Sequence, residues 1–169
     1  MLLRRSFYIT IGLLMAMFVA ACGSTTTTGS TSTTATTSST IVVKTAMATV
    51  KGKSENILTN TSGMTLYYFT ADTSTTSACT TGCTGTWPPL LVTGSNTPIS
   101  ATTLPGTLTA QTDANGNQVE YNGHLLYNYS GDTAPGQTNG EGLFGKWFVA
   151  TPDLSTTAPS STPTGGRGY

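Results

Sequence analysis

Two matched sets of side chains are where chemistry would have to occur. Tyr67, Phe69, Asp72 and Trp87 are answered, sixty positions on, by Tyr127, Tyr129, Asp132 and Trp147. The aromatic members could form a stacking platform for a sugar ring, a peptidoglycan strand or a quinone. They could equally be the core, since each such ring buries about 150–250 Å² and the chain is poor in Leu and Ile. The core reading is favoured, with one ring partly exposed. Asp72 and Asp132 each follow the last aromatic residue of the motif by three positions, where strand gives way to loop. A carboxylate there accepts backbone N–H groups and fixes a turn. The sharper readings are a calcium ligand, or a carboxylate pair drawn together by pseudo-twofold symmetry as in aspartic proteases. Calcium asks for about six to eight oxygens, and the regular Asp and Gly spacing of an EF-hand loop is missing.

His124 is the single histidine and aligns with Met64. An imidazole and a thioether on paired strands could hold Cu(I), whereas a blue-copper centre needs two histidines and a free thiolate. His124 and Met64 are therefore weak metal candidates only, and the plain expectation for His124 is a strand-end imidazole facing solvent. Cys79 and Cys83 enclose Thr80-Thr81-Gly82. Haem attachment would need Cys-x-x-Cys-His and zinc two further ligands, so a disulfide is favoured over both. No Gly-x-Ser-x-Gly, His-Glu-x-x-His, phosphate loop or Rossmann glycine set occurs. The expectation is a protein that is not an enzyme and that carries no cofactor.

The elements that position these groups repeat with them. Gly63, Leu66, Tyr67, Asp72, Thr73, Gly82, Gly85 and Trp87 recur as Gly123, Leu126, Tyr127, Asp132, Thr133, Gly142, Gly145 and Trp147 without a gap. A fixed internal period marks two copies of one supersecondary unit. Their code is β. Ile41 to Val50 is rich in β-branched residues and runs into the turn Lys51-Gly52-Lys53; Ile57 and Leu58 begin a second strand. In the next strand Thr65, Tyr67 and Phe69 share one face and Met64, Leu66 and Tyr68 the other; both faces are apolar, which makes the strand central. Gln118 to Tyr121 leads through Asn122-Gly123, a strong hairpin signal, to Leu125, Tyr127 and Tyr129 opposed to His124 and Leu126. A last strand, Lys146 to Thr151, stops at Pro152. Thr73 to Thr86 and Thr133 to Gly145 are long glycine-rich loops, and Val92 to Gln111, with Pro98 and Pro105, reads as an irregular connector. The expected fold is all-β, two pseudo-repeats (about 55–91 and 115–151) within a domain at 41–154, forming a small sandwich or a partly closed barrel.

The ends of the chain give an address. Arg4 and Arg5, the apolar run Phe7 to Val19 and the small residues Val19-Ala20-Ala21 before Cys22 have the form of a secretory signal. The apolar run is short for a membrane span, which needs about 20 residues. Residues 1–21 thus read as a signal helix, 22–40 as a Thr/Ser-rich flexible tether and 155–169 as a disordered tail of the same composition. Without the signal, five basic residues face seven carboxylates, a net charge near −2. Nucleic acid asks for a basic face and is not an expected partner.

Tyr67-x-Phe69-x-x-Asp72 and Tyr127-x-Tyr129-x-x-Asp132 both fit the pattern Y-x-(F/W/Y)-x-x-D. With the lipobox ending at Cys22, Cys79-x-x-x-Cys83 and Trp87-Pro88-Pro89-Leu90, the chain resembles the bacterial secreted-repeat lipoproteins named for that motif, from the signal to about Pro152. The resemblance implies an exported β-rich protein with acyl chains on Cys22, held outside the cell membrane, or at the outer membrane in a two-membrane cell. In the second copy Trp147-Phe148-Val149 replaces Trp-Pro-Pro, so equal roles for the halves are not implied. The function expected is a non-enzymatic binding or scaffold module for a cell-wall component or another envelope protein. The alternatives are an accessory redox or copper-handling protein of envelope electron transport, and an envelope hydrolase using Asp72 or Asp132.

Overall fold

The computed structural model describes residues 38–156. The expected signal, Cys22, nearly all of the tether and most of the tail lie outside them. Strand β1 spans Ser39–Val50, starting two residues before the expected Ile41, and turns through Lys51 (φ 48°) and Gly52 (φ 81°) into β2, Lys53–Thr59. Two successive left-handed residues make a turn whose twist matches that of the flanking strands, and the hairpin keeps register from Val50 opposite Lys53 to Lys44 opposite Thr59. β3 is Tyr67–Phe69, β6 Gly116–Tyr121, β7 His124–Tyr127 and β8 Trp147–Val149. Asn122 and Gly123 join β6 to β7 with positive φ, as the sequence demands. Leu143–Gly145 forms one 3-10 turn.

The connector departs from expectation. Thr97–Ser100 is β4 and Leu108–Asp113 is β5. Pro98 reads as a breaker, yet β4 lies at the edge of its sheet, parallel to β1, where a residue without an N–H is tolerated. The strands form two sheets, β2-β1-β4 and β5-β6-β7-β3-β8. The fold is therefore all-β with two sheets and no closed barrel.

The five-stranded sheet is buried on both faces. Tyr67, Leu125, Tyr127, Trp147 and Val149 join one apolar cluster, while Leu66, Leu126, Val119, Tyr121 and Ala150 join another. Alternation along the strands accounts for the division. The β1–β2 hairpin serves both, with Ala48, Val50 and Ile57 in the first cluster and Val42, Val43 and Leu58 in the second.

A pseudo-twofold axis runs between β3 and β7, which pair antiparallel with Tyr67 opposite Tyr127. The edge of β3 away from β7 takes β8, with Tyr67 opposite Val149 and Phe69 opposite Trp147; the edge of β7 away from β3, which carries β6 at His124 and Leu125, takes the segment at Pro89 opposite Tyr127. Backbone bonds obey the same axis. Ala150 N donates to Leu66 O and Leu90 N to Leu126 O, both at 2.9 Å; Thr70 N donates to Lys146 O and Ser130 N to Thr86 O, again at 2.9 Å. Each repeat therefore gives its tryptophan segment to the other repeat's central strand.

Cys79 and Cys83 are disulfide-bonded with Cα atoms 5.2 Å apart. Closing so small a loop restricts the unfolded chain only modestly, and Cys79→Ala/Cys83→Ala is expected to cost about 2 kcal/mol, read as a lower urea midpoint. A loss above twice that would mean the bond also holds the first loop in place.

Candidate functional site

The register of β3, β7 and β8 turns the repeated aromatic residues toward one another. Phe69 sits directly across from Trp147 and their rings stack, centroids 4.3 Å apart at 11°. Trp147 stacks on Trp87 at 3.7 Å and 1°, and Trp87 packs on Tyr129 at 4.4 Å and 30°. The result is a four-ring column, Phe69, Trp147, Trp87, Tyr129, drawn alternately from the two repeats. Both tryptophans are 3% exposed, and the two outer rings are half-buried. Tyr67 meets the column edge-on at Trp87 (5.5 Å) and Tyr127 at Trp147 (5.1 Å). Edge-to-face and offset contacts of this kind are each worth about 0.5–1.5 kcal/mol beyond burial.

The carboxylates cross between the repeats as well. Tyr67 Oη donates to Asp132 Oδ2 at 2.6 Å, and Tyr127 Oη to Asp72 Oδ2 at 2.7 Å. Each carboxylate also fixes its own loop, as the turn chemistry foretells: Asp72 Oδ1 accepts Ala78 N–H at 2.7 Å and Asp132 Oδ1 accepts Asn139 N–H at 3.0 Å. The donors sit six and seven residues on, so the repeat register slips by one in the loops although the sequences align without a gap. Asp72 and Asp132 do not form a facing pair; each is committed to a phenol of the opposite repeat.

Beyond these bonds the two halves differ. Tyr127 Oη lies 2.7 Å from Ser77 Oγ, which accepts from Asn115 Nδ2 at 3.0 Å; Asn115 Nδ2 also lies 3.1 Å from Gln118 Oε1. Tyr67 Oη instead accepts the N–H of Gly140 at 3.2 Å. A Cβ on Gly140 would stand 2.8 Å from both the Trp87 and Tyr67 rings, so only glycine brings that N–H close enough. Ser77, Asn115 and Gly140 were not singled out by the sequence, since nothing in a lone Ser, Asn or Gly of a loop marks its long-range partner.

Burial raises the phenols of Tyr67 and Tyr127 well above the ordinary tyrosine value, and their carboxylate partners add to it. Burial also lifts Asp72 from 3.8 to about 6, against the lowering effect of its bonds from Tyr127 and Ala78. A carboxyl group raised in the folded state binds more protons there than when unfolded. Its contribution is fully present below about pH 4 and is lost as pH rises through about 6. Urea midpoints of the wild type are expected to fall across that window by more than those of Asp72→Asn. Equal slopes would overturn the assignment.

The weak metal candidates do not meet. β3 and β7 are antiparallel, and Met64 and His124 each precede their tyrosine by three residues, so they lie on opposite sides of the Tyr67–Tyr127 pair. His124 is 5% exposed, not solvent-facing as expected, because β7 is buried on both faces. Its ring packs 4.8 Å from Tyr68, and Nε2 lies 3.1 Å from the Ser155 carbonyl. Among the described residues no three His, Cys, Asp or Glu side chains gather as a metal would require. Cys22 lies outside the described residues.

Surface grooves among the described residues include one of about 430 Å³ lined by Gly94 to Pro98, Leu108 to Ala110, Thr112 and Asn117, and one of about 290 Å³ lined by residues including Lys51, Tyr68 and Phe148. Neither is lined by Tyr67, Tyr127, Asp72, Asp132 or either tryptophan.

A family model described as a secreted repeat of unknown function matches residues 48–91 and again 109–151. No curated protein and no solved structure matches.

Proposed function

Because this chain belongs to the family of secreted repeats of unknown function, with two copies spanning half its length, we propose that it is a non-enzymatic binding or scaffold module of the cell envelope, anchored through lipid on Cys22. One observation carries the reading. The motif side chains are committed to one another across the repeats, Tyr67 to Asp132, Tyr127 to Asp72 and Trp87 to Trp147, which supports reading them as the frame that holds the two halves together rather than as a substrate-binding cleft.

Recognition then falls to the loops. Thr138 Oγ1 donates to Thr49 O, and Glu141 pairs with Lys51 at 2.9 Å, fixing the second glycine-rich loop to the far end of β1. At roughly 3.3 Å per residue, β1 sets this loop about 36 Å from Ser39, where the tether enters. Phe144, 83% exposed with φ 55°, stands at the loop tip. A bulky residue in that backbone region is strained, and such strain gathers at binding loops. Among the described residues no helix is long and apolar enough to cross a membrane.

Fractionation tests the anchor: Cys22→Ala is expected to move the protein from the membrane to the soluble fraction, and retention in the membrane would refute lipidation as the attachment. For the binding role, Phe144→Ala is expected to abolish cross-links to envelope components in whole cells while melting stays unchanged. Unaltered cross-linking would remove the loop from the interface.

A further inference from the structure

A second capability lies in the arrangement of the buried rings, independent of how the protein is anchored or what its loops bind. We propose that the aromatic column with its two tyrosine–carboxylate pairs is a trap for oxidising equivalents, which takes one electron hole from an oxygen-centred radical such as a peroxyl and stores it as a buried tyrosyl radical.

The geometry contains each part that such a trap needs. Tyr129 and Phe69 cap the column and are half-buried, so an oxidant can act at its ends. From either end the rings lead inward at centroid separations of 4.4, 3.7 and 4.3 Å. The Trp87 and Trp147 planes are parallel to within 1°, which lets a radical cation spread over both indoles. At 3% exposure, water is held away from it. Tyr67 meets Trp87 edge-on and Tyr127 meets Trp147 edge-on, one phenol for each indole of the pair. Oxidation of a phenol is favourable only if its proton has somewhere to go, and here each hydroxyl already points at a carboxylate oxygen, 2.6 Å away for Tyr67 and 2.7 Å for Tyr127. Short O–H···O⁻ bonds of this kind are strong and pre-aligned for transfer.

The step balances as follows. The peroxyl radical gains one electron and becomes a hydroperoxide anion, which takes a proton from water. The electron leaves the Trp87–Trp147 pair, which is refilled from Tyr127 or Tyr67. The phenol O–H bond breaks, its proton goes to Asp72 or Asp132 respectively, and a neutral tyrosyl radical and a neutral carboxyl group remain. The Tyr67 oxygen keeps the hydrogen bond from Gly140 N–H. A hydroquinone returns the system by giving up one electron, becoming a semiquinone and releasing its own proton, while the carboxyl returns its proton to the phenolate oxygen.

Pulse radiolysis of the intact protein with the azide radical provides the test. In the wild type the tryptophan radical absorbance is expected to decay into that of a tyrosyl radical. In Tyr67→Phe/Tyr127→Phe the tryptophan radical is expected to persist at least about tenfold longer, with an unchanged near-UV circular dichroism spectrum certifying the core. Should that double variant lose its core, Asp132→Asn supplies the second test: transfer to Tyr67 slows while Tyr127 still oxidises, visible as a slower tryptophan-radical decay that still ends in a tyrosyl radical. An unchanged tryptophan decay in the variant that folds, or a final radical on Tyr129, overturns the proposal.

Discussion

Trp87→Ala is expected to destabilise the domain by about 4 kcal/mol or more and to lower its melting temperature by roughly 15 °C. The side chain is buried and touches three other rings of the motif: Trp147, Tyr129 and Tyr67. Truncating a buried tryptophan costs about 3–5 kcal/mol through lost transfer energy and the cavity left behind. The stacked and edge contacts add to this, and whole domains are stable by only about 5–15 kcal/mol. Trp147→Ala should behave alike because it occupies the related place about the axis. The double variant should cost less than the two single costs together, since each removes the other's partner. Phe144→Ala, at an exposed tip, is the control and should change stability by less than about 0.5 kcal/mol. A Trp87→Ala variant that melts within a few degrees of the wild type would mean the column is not the core.

The second large effect concerns the halves. Residues 109–151 alone are expected to be unfolded, although they contain a complete family repeat. In isolation Tyr127 has no Asp72, Trp147 has neither Phe69 nor Trp87, and β7 loses β3 along one edge. A buried hydroxyl without its partner costs about 1–3 kcal/mol, and an exposed column of rings contributes no burial at all. Mixing residues 38–106 with 107–156 should restore a folded species, detected by dispersed amide resonances absent from either fragment. A monomeric, well-dispersed spectrum from residues 109–151 would contradict the crossed pairing.

Much of this architecture could be read from the chain. The spacing of Tyr67 and Tyr127 exposed the repeat, Lys51-Gly52 and Asn122-Gly123 marked the hairpins, and the apolar residues on both faces of Tyr67–Phe69 placed β3 inside its sheet. Setting aside haem and zinc at the Cys79 and Cys83 spacing found the disulfide, and the turn chemistry of Asp72 and Asp132 found their loop bonds. What stayed hidden was partnership. A motif states which residues are needed and not which copy each one serves, so the exchange of Tyr67 to Asp132 and of Trp147 to Phe69 could only emerge from the antiparallel pairing of β3 with β7. The strands β4 and β5 were concealed because Pro98 signals interruption unless the position is known to be an edge. His124 looked solvent-facing because a strand-end imidazole gives no sign of what packs over it.

The crossed pairing has a bearing on ancestry. Two identical copies of one repeat, meeting as separate chains about a true dyad, would make the same set of contacts, each tyrosine reaching the aspartate of its sister. Joining them by the segment that now holds β4 would turn a concentration-dependent association into an intramolecular one, at an effective concentration on the order of millimolar. Once covalently united, the copies no longer had to remain alike. That freedom is visible in the disulfide of one loop and the glycine against the rings in the other.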